Sequence, residues 1–199
     1  DGNIQPTPKY IRQSLEEVIL KENLEKALIK LNPNTPPEII QQAIRQIINI
    51  HSIDQTANNE SFHNMLTNGI EVEYIKDGNL VGKRITLIDY DNPSNNEYLC
   101  INQYVIQYNN IIKRPDIILF VNGLPLVGIE LKNPEDENAT LESAYQQFQT
   151  YKNYIPLLYD YNSLLVISDG VDAKYGSLTA PLTRFMTWKT KDGIQEDPI

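Results

Sequence analysis

A single cysteine, Cys100, among 199 residues leaves no internal disulfide to form, and that composition suits a reducing compartment, the cytoplasm. No apolar run approaches the roughly 20 residues of a membrane-spanning helix, so no membrane partner is expected. The opening Asp1-Gly2-Asn3 starts nothing like a secretory signal. A phosphate-binding P-loop is missing too. The nearest approach, Gly78-Asn79-Leu80-Val81-Gly82-Lys83-Arg84, is one residue short and lacks the Ser or Thr, and reads as a hairpin turn. Positive charge is scarce: 17 Lys and Arg face 26 Asp and Glu, a net charge of −9. Such a chain cannot hold nucleic acid through its overall field. To act on phosphate it must neutralise charge locally, with a metal and a few basic residues, or borrow grip from a partner. What is present is an ordinary globular composition, long enough to bury a real core.

Residues 1–9, with Pro6 and Pro8, read as a loose leader. Apolar positions from Ile11 to Leu31 follow helical spacing, and Asn32-Pro33-Asn34-Thr35-Pro36-Pro37 breaks the pattern. A second helix opens at Pro36 or Pro37 and runs to about Ile50; a third covers Asn58 to Leu66 and stops at Asn68-Gly69. At Ile70 the period becomes two. Strands are predicted at about 70–76, 82–90, 98–108, 115–121 and 125–132, then a helix at 140–154, a strand at 162–168 and a last one near 184–188. This order predicts an α/β domain whose mixed β-sheet is flanked by helices, with an N-terminal helical segment.

The stretch RPDIILFVNGLPLVGIELK carries the chemistry. Two apolar runs meet at Asn122-Gly123, the strongest short-range hairpin signal. Runs this apolar suggest strands buried on both faces. Glu130 and Lys132, two apart on a strand, leave one face. Asp116 joins them only if the register allows. A strict two-residue turn pairs Val121 with Leu124 and Asp116 with Ile129, which turns Glu130 away. A three-residue connection over Asn122, Gly123 and Leu124, bulged at the glycine, pairs Asp116 with Glu130 instead. Pro125 cannot donate to a ladder and fits the irregular connection. Two carboxylates and an ammonium brought together would suit a Mg²⁺-dependent phosphodiesterase, because Mg²⁺ takes hard oxygen ligands.

On the predicted helix LESAYQQFQTYKNYIP, Gln147 and Tyr151 are four apart and share a face, whereas Gln146 and Gln149 point elsewhere. Taken alone, the pair fits an ordinary amphipathic helix. Together, D-x13-E-x-K and Q-x3-Y resemble the PD-(D/E)xK nuclease superfamily. The fit is closest to its branch containing the R (restriction) subunits of type I restriction–modification enzymes. Segments such as VEYIKDG, GKRITLIDYDNPSNNEYLCINQYVIQ and LLVISDGVDAKYGSLTAPLTRFMTWKT extend the likeness over roughly residues 15–190.

The resemblance implies an N-terminal helical segment over 1–66, a PD-(D/E)xK endonuclease core over 67–190, and a linker over 191–199 toward an absent motor domain. It implies metal ligation by Asp116, Glu130 and the Leu131 carbonyl, and a catalytic role for Lys132. Gln147 and Tyr151 would support them. The implied cofactor is Mg²⁺, with ATP used only in the motor. The implied partners are double-stranded DNA and the specificity and methyltransferase subunits. Another PD-(D/E)xK nuclease, of repair or junction cleavage, is the alternative enzyme. A degenerate docking module is the non-enzymatic one, and the intact acids and lysine speak against it.

Other candidates have plain structural explanations. Glu16, Glu17 and Glu60 could supply the early-helix acid of many such nucleases, or be solvated helix residues. His63 could join the site or be a satisfied helix histidine. Asp89 and Asp91 could ligate metal or form turns. Arg114 could meet phosphate or pair with an acid.

Overall fold

The computed structural model describes residues 12–50, 52–76, 78–133 and 140–189. The proposed leader and linker, residues 1–9 and 191–199, lie outside them. Three helices come first: α1 (Lys21–Leu31), α2 (Pro37–Ile48) and α3 (Gln55–Asn68). Proline at the first turn starts α2, since its missing N–H costs nothing there. The Asp54 carboxylate caps α3 by accepting from the Thr56 and Ala57 amides, and Gly69, at φ 74°, ends it.

The helical spacing read from Ile11 holds only from Lys21 onward. Ahead of it the backbone bonds to other segments: the Gln107 amide donates to the Leu15 carbonyl, and the Leu20 amide to that of Gly123. Tyr104 Oη donates to the Glu17 carbonyl. Val18, Ile19 and Leu20 are buried all the same. Their apolar spacing reports contact with the core, not a helix.

β1 (Ile70–Lys76) and β2 (Asn79–Ile85) form a separate antiparallel pair, as do β4 (Ile106–Tyr108) and β5 (Ile111–Lys113). The predicted strand at 98–108 is therefore two, split where Gln103 takes φ 53°. The main sheet adds β3 (Tyr98–Asn102), β6 (Ile117–Val121), β7 (Leu124–Leu131), β8 (Leu164–Ser168), β9 (Ala173–Gly176) and β10 (Met186–Thr187). Its six strands run in the order β10-β9-β8-β7-β6-β3, and only β7 and β8 pair in parallel. Helices α4 (Leu141–Tyr154) and α5 (Pro156–Asp160) make the crossover between them. Thr140 and Ser143 form a reciprocal capping box at the start of α4. No helix among the described residues is long and apolar enough to cross a membrane.

Burial along β6 and β7 alternates, contrary to the expectation of strands enclosed on both sides. Ile118, Phe120, Leu126 and Glu130 are buried on the face under α4, while Ile117, Leu119, Val127 and Ile129 on the other are only half-buried. Phe148 of α4 lies on Gly128, where a Cβ would reach its ring at 3.4 Å. One large core joins this face to α1, α2 and α3.

Candidate active site

The hairpin corrects the expected turn and supplies the needed register by another route. Val121 pairs with Leu124, so the turn is a strict two-residue one. Asn122 at φ 52° and Gly123 at φ 78° give the doubly left-handed turn that matches strand twist. The irregularity sits further along, between Leu119 and Phe120 on one strand, where the partner advances from Val127 to Pro125. Leu126 is the extra residue. Beyond this bulge Ile117 faces Ile129, which sets Asp116 opposite Glu130.

Asp116 is held from two sides. Its Oδ2 accepts from the Leu131 amide at 2.9 Å and its Oδ1 from Gln103 Nε2 at 3.0 Å. The Gln103 amide also donates to the Asp116 carbonyl at 2.7 Å. Glu130 is 4% exposed, and its Oε1 accepts from Lys132 Nζ at 3.2 Å. Its Oε2 is buried without a hydrogen-bond partner. Burial, then the Asp116 charge, push the Glu130 carboxyl up to about 7, against the opposing pull of Lys132. The energetic balance is plain. One ammonium at the rim does not neutralise two acids, one of which is buried.

Tyr151, on α4, is buried over the same spot, and its hydroxyl donates to the Arg114 carbonyl at 3.4 Å. Burial and the charges of Glu130 and Asp116 raise it to about 12, while a hydrogen bond with Gln147 works the other way. Gln147 and Tyr151 thus act on one another beside the acids, on one face of α4. Gln146 instead donates to Glu142 Oε1 on the surface, and Gln149 accepts from Lys152.

Of the remaining candidates, Arg114 alone among the described residues touches this place, through its carbonyl. Glu17 pairs with Lys21 and accepts from the Gln13 amide, off any helix; Glu16 and Glu60 are exposed. His63 Nε2 lies 3.1 Å from the Asn162 carbonyl. Asp89 accepts from Asn95 Nδ2 and from the Asn92 amide, which hold its carboxyl below the usual range, and Asp91 is exposed. Glu60 and His63 lie on α3, whereas Glu16 and Glu17 precede α1 and are not the helix residues the sequence suggested. Arg114 is exposed and presents its carbonyl to Tyr151.

Two residues escaped the sequence. Gln103 holds Asp116 through both backbone and side chain, yet a lone glutamine after a strand gives no signal. Tyr159 of α5 is buried with an unpartnered hydroxyl, raised by burial and by the charges of Tyr151 and Glu130. In sequence it is one aromatic among twelve tyrosines.

Do these residues fit a divalent cation? The described residues hold no cluster of three or more His, Cys, Asp or Glu suited to a metal. Two carboxylates and the adjacent Leu131 carbonyl form a sparse, all-oxygen set, which suits Mg²⁺ that keeps several waters. The orphaned Glu130 Oε2 is the observation in favour. A cation there would satisfy the buried oxygen and relieve the repulsion from Asp116.

The family model described as "Type I restriction enzyme R protein N terminus" matches residues 1–184. The chain belongs to this family. The type I restriction enzyme HindI endonuclease subunit of Haemophilus influenzae is 40% identical over 185 residues, covering 92% of this chain and 18% of that protein. A putative type I restriction enzyme MjaIXP endonuclease subunit of Methanocaldococcus jannaschii is 35% identical over 195 residues, 96% of this chain and 18% of that protein. The chain therefore spans less than a fifth of the length of these two family members. The N-terminal region of an R protein is the part it represents.

Proposed function

We propose that this chain is the metal-dependent endonuclease domain of a type I restriction R subunit. Its substrate is unmodified foreign double-stranded DNA, cut at phosphodiester bonds after ATP-driven translocation by the rest of the subunit. The observation that carries the reading is the convergence of Asp116, Glu130 and Lys132 at one end of a hairpin, with Glu130 Oε2 left buried and unpartnered. Asp116, Glu130 and the Leu131 carbonyl would hold Mg²⁺. When bound, the cation polarises the phosphate and makes a water more acidic.

The chain's own groups do the rest. Gln103 and the Leu131 amide fix the Asp116 carboxylate, so its oxygens need no reorganisation when charge develops. Lys132 lies beside Glu130 and supplies a positive charge to orient the attacking water and offset the growing phosphate charge. Tyr151 and Gln147, hydrogen-bonded to one another beside the acids, would help position the phosphate or the metal. The acidity of the whole chain leaves DNA delivery to the motor and to the specificity and methyltransferase subunits.

The test is cleavage by the assembled enzyme carrying Asp116→Ala, Glu130→Ala or Lys132→Ala. Each lowers cleavage by roughly a thousandfold or more, while ATP hydrolysis and translocation continue. Near wild-type cleavage with any one substitution removes that residue from the mechanism.

A further inference from the structure

The six-stranded sheet has two unequal faces. Under α4 it carries Ile118, Phe120, Leu165 and Ile167, all buried. On the opposite side, cross-strand pairing aligns Ile117, Ile129, Val166, Tyr175 and Met186 in one row, and Cys100, Leu119, Val127 and Leu164 in the next. This side is apolar and open. A groove of about 340 Å³ runs between Leu119, Val127, Ile129, Leu164, Val166 and Trp188. Met186 is 57% exposed and Trp188 43%. Among the described residues no helix lies on it.

All-parallel sheets are covered by helices on both faces, whereas antiparallel sheets can leave one face to solvent, which is then polar rather than apolar. Here the parallel pair β7–β8 sits at the middle of the sheet with a helix layer on one side. A continuous apolar surface of this kind on a soluble protein marks a contact surface.

We infer that this second face is covered by an apolar helical surface from the part of the R-subunit polypeptide that follows these residues. Three observations choose that occupant. The family assignment is to the N terminus of the R protein, and the matched region is 18% of the relatives' length, so most of the subunit lies after it. Trp188 and Lys189, which directly follow β10, line the same side of the sheet, so the sequence C-terminal to the sheet starts at the groove's own edge. The lining is almost wholly apolar, which suits packed aliphatic side chains and offers nothing to a phosphate backbone. The inference rests on family membership and is independent of the nuclease reading.

Hydroxyl-radical footprinting tests it, since Trp, Met and Tyr side chains are readily oxidised where water reaches them. The 199-residue chain and the full-length subunit are oxidised side by side, and products at Tyr175, Met186 and Trp188 are quantified by mass spectrometry. The expected result is a several-fold slower oxidation of Met186 and Trp188 in the full-length subunit. Equal rates in the two proteins overturn the inference. Slow oxidation already present in the 199-residue chain overturns it as well. If that chain sediments as a dimer, the face belongs to a second copy; if it is a monomer, the chain's own residues cover it. DNA cleavage plays no part in the readout, so failure here and failure of the nuclease reading are separate results.

Discussion

The two ends of the β6–β7 hairpin are both polar, and they differ in whether the protein satisfies them. At the turn, Asn122 is fully buried, and every side-chain atom is used. Its Nδ2 donates to the Leu87 carbonyl and to Asn96 Oδ1, each at 2.8 Å, and its Oδ1 accepts from the Glu97 amide. Gly123 is clamped against α1, where a Cβ would come within 2.5 Å of the Leu20 carbonyl oxygen. At the open end, Glu130 Oε2 has no partner, and a second acid stands close enough to raise its carboxyl. Folding alone would favour the first arrangement at both ends. A polar group that the fold closes off is scaffold; one it buries and leaves unmet is available for binding.

Substitutions at the two ends should therefore fail differently. Asn122→Ala strands the buried Leu87 carbonyl and the Glu97 amide, and should cost roughly 3 kcal/mol of stability in chemical denaturation. Gly123→Ala adds a clash with backbone at a left-handed residue and should cost about 2 kcal/mol. Either variant near wild-type stability would break the contrast. The open-end substitution Asp116→Ala, which removes the acid that repels Glu130, should by comparison leave stability nearly unchanged.

Above the open end the effects are smaller. Tyr151 is part of the core, so removing its ring would confuse packing with chemistry. Tyr151→Phe and Gln147→Ala avoid this, and each should lower cleavage roughly tenfold, about 1.4 kcal/mol, without changing the unfolding midpoint. Full activity in both would leave α4 with a packing role alone.

The smallest effect is a slope. The Glu130 carboxyl rises from 4.5 to about 7 on folding, so its protonated form is favoured in the native chain. That contribution is complete below pH about 4.5 and is lost as pH climbs through about 7. Metal-free wild type should therefore lose stability relative to Glu130→Gln across that window. A pH-independent difference between the two would contradict the electrostatics at this end.

Much of this was legible in the sequence, for identifiable reasons. Asn122-Gly123 marks the hairpin because few other residues tolerate two successive left-handed conformations. The acid pair and Lys132 follow from strand periodicity once the register is known. The register itself is legible only as a requirement for an odd offset, and Pro125 beside the turn points to Gly123 for it. Nothing local distinguishes a bulge at Leu126 from one at Gly123, because Pro125 disturbs the ladder for both. The stretch ahead of Lys21 reads as helix because the buried Val18 and Ile19 extend the apolar spacing of α1, although they pack on the core without a helix. Short elements such as β5, β9 and α5 were missed, as they owe their form to neighbours distant in sequence. Gln103 and Tyr159 reach the site by tertiary folding, which leaves no spacing to read.

The central claim is that the unmet carboxylates at the open end are a cation site, and divalent-metal titration of the chain tests it most directly. Thermal unfolding is followed with Mg²⁺ and Mn²⁺ near pH 8, where Glu130 is ionised, for wild type and Glu130→Gln. The account predicts weak binding that raises the wild-type midpoint, fades as pH falls below about 7, and is absent in Glu130→Gln. Equal stabilisation of both proteins, or none in wild type at tens of millimolar metal, would contradict it.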